Sequence, residues 1–153
     1  MPHTILIVDD NDAFRGMLTT VLGLRGYKTV AARNGDEGLK LAATNQIDAV
    51  LVDVEMPQMD GLEFCRLLRE QEKTAGTNLP VWIMTGALRV GVNRKAAAFG
   101  ALLVLRKPLN MEETCAQFER EFREQQTGRP ARAAAPTPAP ETGGGSAESL
   151  GRL

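Results

Sequence analysis

The sequence is poor in the groups from which disulfide scaffolds, thiolate metal centres and polyelectrolyte-binding surfaces are made. Its two cysteines, Cys65 and Cys115, fall at apolar positions of predicted helices. That pattern belongs to buried thiols in a reducing compartment rather than to a disulfide or a metal site. There is a single histidine, His3, ahead of the first apolar run. An excess of one charge is also missing, because 18 Lys and Arg stand against 19 Asp and Glu for a formal net charge of -1. No field of either sign draws nucleic acid or a membrane surface, so direct binding to DNA is not expected. No apolar run approaches membrane-spanning length. The opening MPHTILIVDD lacks the basic region and long apolar stretch of a signal peptide, and the expected location is the cytoplasm. What remains, 43% hydrophobic and 24% charged over 153 residues, suits one soluble globular domain.

Five short apolar runs alternate with helical patterns: Thr4 to Val8, Tyr27 to Ala32, Asp48 to Val52, Pro80 to Met84 and Ala101 to Leu105. This alternation predicts repeated strand-helix units around a parallel sheet. After the first run, Phe14, Met17, Leu18, Val21 and Leu22 recur at helical spacing and Gly26 closes the segment. Asn34 and Gly35 form a turn before a weaker helix from Asp36 to Ala43, and Leu62, Phe64, Cys65 and Leu68 give the third helix its apolar stripe. The fourth, about Arg89 to Phe99, contains Gly91 and few large apolar residues, so it is the least secure element and the one expected to move. Asn110 caps a fifth helix, with Glu113 as capping-box partner and Met111, Cys115, Phe118 and Phe122 on one face. That helix ends near Gln125. The stretch 126–153, rich in Pro, Ala and Gly, has too few large side chains to offset the entropy of ordering and is expected to be a disordered tail.

The organising stretch is VLVDVEMPQMDG, residues 50–61. Its unbroken apolar run fits a strand covered on both faces, and Asp53 stands where that strand surfaces. Pro57 and Gly61 prevent a straight continuation, while Asp60 and Glu63 read as N-cap and capping-box partner of the next helix. Ligand crevices in open α/β sheets lie beyond the carboxyl ends of the strands, where this carboxylate projects. Asp9 and Asp10 follow the first run in the same way. Neighbouring strands about 4.8 Å apart would gather the three acids in one crevice, an oxygen-only set suited to a hard cation such as Mg²⁺. Each residue alone has an ordinary structural role open to it: a turn for Asp53, helix capping for Asp9 or Asp10. Thr85 follows the fourth run and Lys107 the fifth. A hydroxyl and an ammonium converging on a carboxylate and a metal are what a transferred phosphoryl group needs.

The motifs in order are DD at Asp9 and Asp10, D-x-x-M-P from Asp53 to Pro57, T-G at Thr85 and Gly86, and K-P at Lys107 and Pro108. With these motifs the chain resembles a receiver domain of two-component response regulators, of the stand-alone, chemotaxis-regulator-like type, from residue 1 to about residue 125. The resemblance implies a flavodoxin-like, doubly wound sheet of five parallel strands in the order 2-1-3-4-5, with helices on both faces. It also implies that Asp53 is the phosphoacceptor. Asp10, Asp53 and the backbone carbonyl of Glu55 would hold Mg²⁺, with Asp9 acting mainly through water. Thr85, Lys107 and backbone N–H groups near Val54 and Gly86 would meet the phosphoryl oxygens. The phosphoryl donor would be a histidine kinase or a histidine phosphotransfer protein, since His3 has no helical context for that role. The output would pass to a downstream effector protein. Such a domain is not an enzyme on other substrates; it assists only its own phosphorylation and dephosphorylation.

Two departures stand out. Many receivers carry Tyr or Phe three residues before the lysine, where this chain has Val104, so the aromatic half of the family's switch is missing. Glu55 and Ala87 occupy positions from which side chains bear on the access of water to an acyl phosphate. The alternative is a non-phosphorylated pseudo-receiver acting as a docking module, against which the intact acids and Lys107 argue. An aspartyl-nucleophile phosphatase would want a second acid two residues after the nucleophile and a covering cap. A flavin carrier is disfavoured by the acidic DDND loop, which repels a cofactor phosphate. Trp82, the only tryptophan, is expected in the core.

Overall fold

The computed structural model describes residues 2–87, 90–126 and 150–152. In chain order the elements are β1 (Thr4–Val8), α1 (Asp12–Leu24), β2 (Lys28–Ala32), α2 (Gly35–Thr44), β3 (Ala49–Asp53), α3 (Gly61–Ala75), β4 (Val81–Thr85), α4 (Val92–Ala98), β5 (Leu103–Arg106) and α5 (Met111–Gln126). A three-residue strand, β6 (Leu150–Arg152), follows. The first five strands are all parallel and lie in the order 2-1-3-4-5, as the resemblance implies.

Side chains alternate across each strand, and the alternation divides the core in two. Leu6, Val8, Val50, Val52, Ile83 and Val104 face Phe64, Cys65, Leu68 and Ala96 on the side of α3 and α4. Ile5, Ile7, Leu51, Trp82, Met84 and Leu105 face Leu18, Leu22, Phe118 and Phe122 on the side of α1 and α5. Every residue of β3 is buried, which explains why its run is continuous rather than alternating. Trp82 packs edge-on against Phe118 with ring centroids 4.9 Å apart. Cys65 and Cys115 are both buried, as expected, and the Cys65 thiol donates to the Phe99 carbonyl at 3.2 Å. Among the described residues, no helix is long and apolar enough to cross a membrane.

Several helix ends differ from expectation in ways that matter for the site. The N-cap of α1 is Asn11, whose side chain accepts from Phe14 N–H at 2.8 Å, so neither aspartate of the DD pair is spent on capping. Asp60 caps α3 by accepting from Glu63 N–H at 2.8 Å, but the Glu63 carboxylate turns to Arg66 at 2.7 Å, so a reciprocal capping box is not built. Asn34 is itself the N-cap of α2, which begins one residue earlier than expected. The helix expected over 89–99 forms only from Val92 to Ala98 behind Gly91 at φ 83°, with no side-chain cap; residue 89 lies outside the described residues.

Of the stretch 126–153, the structure describes residue 126 and residues 150–152. Gln126 is the last residue of α5, and Leu150–Arg152 pair with β5 in an antiparallel ladder. Three residues of backbone can satisfy an edge already built without a core of their own. The remaining positions of the stretch lie outside the described residues.

Candidate phosphoacceptor site

Parallel register brings the functional side chains together. Val8 pairs with Val52, so the next residues, Asp9 and Asp53, leave adjacent strands side by side. Thr85 pairs with Arg106, and Lys107 N–H donates to the Thr85 carbonyl at 2.8 Å, which sets Lys107 next along the same rim. Gly61 allows the β3–α3 loop to close tightly: a Cβ there would lie 2.4 Å from the Asp53 carbonyl oxygen. Within that loop Gln58 adopts φ 69°, a left-handed conformation that costs a non-glycine residue about 1 kcal/mol.

Asp9 and Asp53 are 0% and 3% exposed, whereas Asp10 faces solvent. The Lys107 ammonium bridges the two buried acids, with Nζ 3.0 Å from Asp9 Oδ2 and 3.2 Å from Asp53 Oδ1. Asp9 is held further by Asn11 N–H donating to Oδ1 at 2.9 Å, and its backbone carbonyl accepts from Arg15 Nη1 at 2.7 Å. Among the described residues Asp53 Oδ1 is buried without a hydrogen-bond partner, and the ion pair with Lys107 holds it. Burial and then the negative charge of Asp9 push the Asp53 carboxyl up to about 6, against the opposing pull of Lys107. On Lys107, burial works against the charged form, but the hydrogen bond to Asp9 and the charges of Asp53 and Asp9 outweigh it and raise its pKa.

Each of Asp9, Asp10 and Asp53 offers one oxygen within 4.8 Å of the others. A cluster of three carboxylates with one lysine and a buried oxygen lacking a hydrogen-bond donor fits a hard divalent cation, and this cluster could hold one. The Glu55 side chain is committed elsewhere: its Oε2 accepts from Thr85 Oγ1 at 2.6 Å and its Oε1 from Gly86 N–H at 3.1 Å. The Thr85 hydroxyl also lies 2.7 Å from the Ala87 carbonyl oxygen. Of the two backbone donors expected at the phosphoryl group, Val54 N–H is bonded to the Met84 carbonyl at 2.8 Å and that of Gly86 to Glu55.

Those bonds explain what sequence reading missed. The sequence points to Glu55 for its carbonyl and its bearing on water, whereas its carboxylate is the partner of Thr85 across 30 residues. Phe14, assigned only to an apolar stripe, has its ring centroid 4.2 Å beneath Lys107 Nζ, a cation–π contact on the ammonium. Asn11, the N-cap of α1, and Arg15, on its first turns, carry no sequence motif of their own.

The family model of the response regulator receiver domain matches residues 5–119. The chain belongs to the response regulator receiver family. It is 42% identical over 120 residues to response regulator MprA of Mycobacterium sp. (strain KMS), an alignment covering 77% of this chain and 50% of that protein. The chain therefore spans about half the length of the curated relatives it matches. Chemotaxis protein CheY4 of Vibrio cholerae superposes with a TM-score of 0.71 at 31% identity, over 78% of this chain and 98% of that one. A chain in the co-crystal structure of the Saccharomyces cerevisiae histidine phosphotransfer protein Ypd1 with the receiver domain of its downstream response regulator Ssk1 gives 0.74 at 22% identity, over 81% and 91%, a likeness of fold. As a receiver of two-component systems, the chain belongs to a signalling family rather than to the classical enzymes. In this receiver Val104 is buried among aliphatic side chains on the α4 side, so the position has no ring to turn.

Proposed function

We propose that this receiver accepts a phosphoryl group on Asp53 from a phosphohistidine of a histidine kinase or histidine phosphotransfer protein, in the cytoplasm and with Mg²⁺. Phosphorylation then changes its binding to a downstream protein. The observation that carries this reading is the pair of buried carboxylates, Asp9 and Asp53, bridged by one ammonium at the strand ends. A buried carboxylate with one oxygen held by an ion pair is a prepared nucleophile, and with its pKa near 6 it is largely ionised at neutral pH even without metal.

In the transfer, an Asp53 carboxylate oxygen forms the new bond to phosphorus as the bond from phosphorus to the histidine nitrogen breaks, and the imidazole leaves with that electron pair. Lys107, already between Asp9 and Asp53, meets the charge on the incoming oxygens. Asp10, Asp53 and the Glu55 carbonyl would hold Mg²⁺, with Asp9 acting through water; when bound, the ion neutralises negative charge on the phosphoryl oxygens and carboxylates. Thr85 must exchange its bond with Glu55 Oε2 for one to the phosphoryl group, and Gly86 N–H becomes available only when Glu55 Oε1 withdraws as well. Family membership supports the donor class, and the near-balanced charge supports a protein rather than a nucleic acid as direct target.

The test is treatment with a small acyl phosphate in Mg²⁺, followed by intact-mass spectrometry. One phosphoryl group is expected on the parent and none on Asp53→Asn or on either protein in chelator. Equal labelling of the variant would contradict the assignment.

A further inference from the structure

A five-stranded open sheet has two edges, and this chain treats them differently. At one edge β2 begins with exposed Lys28, with Ala31 also exposed and Thr29 and Val30 half-buried, a lysine-marked border of the kind that discourages pairing with other strands. At the other edge β5 presents Leu103, Val104 and Leu105, which carry no charge and are buried, with Arg106 only at the end. Left open, such a border is a template for any extended backbone that reaches it.

The chain reaches it itself. Strand β6 lies antiparallel on that border in the register Leu103 to Arg152, Val104 to Gly151 and Leu105 to Leu150. Connectivity permits this with room to spare. Helix α5 leads away from the strand ends that carry Lys107, and the antiparallel register returns Leu150 to the level of Leu105, two residues before Lys107. The return must span one helix of 16 residues, about 24 Å long. Residues 127–149 have an extended reach of roughly 80 Å.

We propose that the outer border of β5 is a strand-docking site which the chain closes in cis with Leu150–Arg152, so that other strands gain access only by displacing that segment. Three residues of ladder form a weak contact on their own, and a lone short pairing is marginal in water. Tethering compensates, because an attached strand competes at an effective concentration in the millimolar range. The closure is therefore stable against dilute partners and yields to a longer strand. This inference stands apart from phosphorylation and is tested without it.

The test uses full-length protein. Gly151→Pro removes one backbone donor from the centre of the segment and stiffens it, whereas Gly144→Pro places the same residue type outside the ladder. The outward-pointing amides among Leu103, Val104 and Leu105 are followed by hydrogen exchange, and mass in solution by light scattering. Gly151→Pro should speed exchange at those amides about tenfold or more, while Gly144→Pro matches the parent. A synthetic peptide of residues 146–153 at millimolar concentration should restore protection to the Gly151→Pro protein. Unchanged exchange in Gly151→Pro with monomeric mass overturns the docking site. Unchanged exchange with doubled mass assigns the border to a second copy and overturns closure in cis.

Discussion

One residue separates the most settled part of this molecule from its most unsettled. In the middle of β3, Val50, Leu51 and Val52 are completely buried among aliphatic and aromatic side chains on both faces of the sheet. At its end Asp53 is nearly as buried, beside a second acid, and among the described residues one of its oxygens is held by the Lys107 ion pair without a well-formed hydrogen bond. The middle is organised for stability. The end is organised so that its best partner has yet to arrive, a local mismatch of the kind expected at functional sites. Substitutions at the two places should therefore move stability in opposite directions.

The largest effect belongs to the strand middle. Leu51→Ala should cost about 2 to 5 kcal/mol in denaturant unfolding, because its neighbours in β1 and β4 cannot collapse into the space left. A loss below 1 kcal/mol would show that the sheet core is less tightly packed than described.

At the strand end the sign reverses. In the folded, metal-free protein Asp53 keeps its proton up to about pH 6, against 3.8 for an ordinary aspartate. Between those values the folded state binds more protons than the unfolded state. Stability from this group is thus fully present below the unfolded value and is lost as pH rises through about 6. Asp53→Asn should abolish that decline and raise metal-free stability at neutral pH by about 1 to 3 kcal/mol. Adding Mg²⁺ should then favour the parent. A variant that is less stable than the parent in chelator at neutral pH would break the comparison.

A smaller effect separates two neighbours on one loop. Asn11→Ala removes the cap of α1 and should cost about 0.5 to 2 kcal/mol with or without metal. Asp10→Ala removes an exposed acid from a like-charged cluster and should shift metal-free stability by no more than about 0.5 kcal/mol while losing most of the gain from Mg²⁺. Denaturant melts in Mg²⁺ and in chelator read both. The smallest effect lies in α4, which has seven residues and no side-chain cap, against sixteen in α5. Its amides should exchange about tenfold faster than those of α5. A phosphoryl mimic should change exchange most over 90–99, and a change concentrated in α2 would place the output elsewhere.

The sheet was legible because apolar runs and their spacing are local signals, and because a side chain just past a buried strand has one place to go. Asp9, Asp53, Thr85 and Lys107 were found that way, and the structure brings them to one rim. What escaped were bonds between residues distant in sequence and lacking any period. Glu55 to Thr85, Phe14 under Lys107 and β6 on β5 each depend on a surface that exists only after folding. Asn11 was hidden for a different reason: in DDND four residues can all cap a helix, and only the position of the first turn chooses among them.

The central claim is that the buried carboxylate at the end of β3 is the atom that takes the phosphoryl group. Borohydride reduces an aspartyl phosphate to homoserine, so peptide mapping after labelling in Mg²⁺ and reduction reads the acceptor directly. The account predicts homoserine at Asp53 alone, and no reduction product in chelator. Homoserine at Asp9 or Asp10, or an added phosphoryl group on the intact chain with no reduced aspartate, would contradict it.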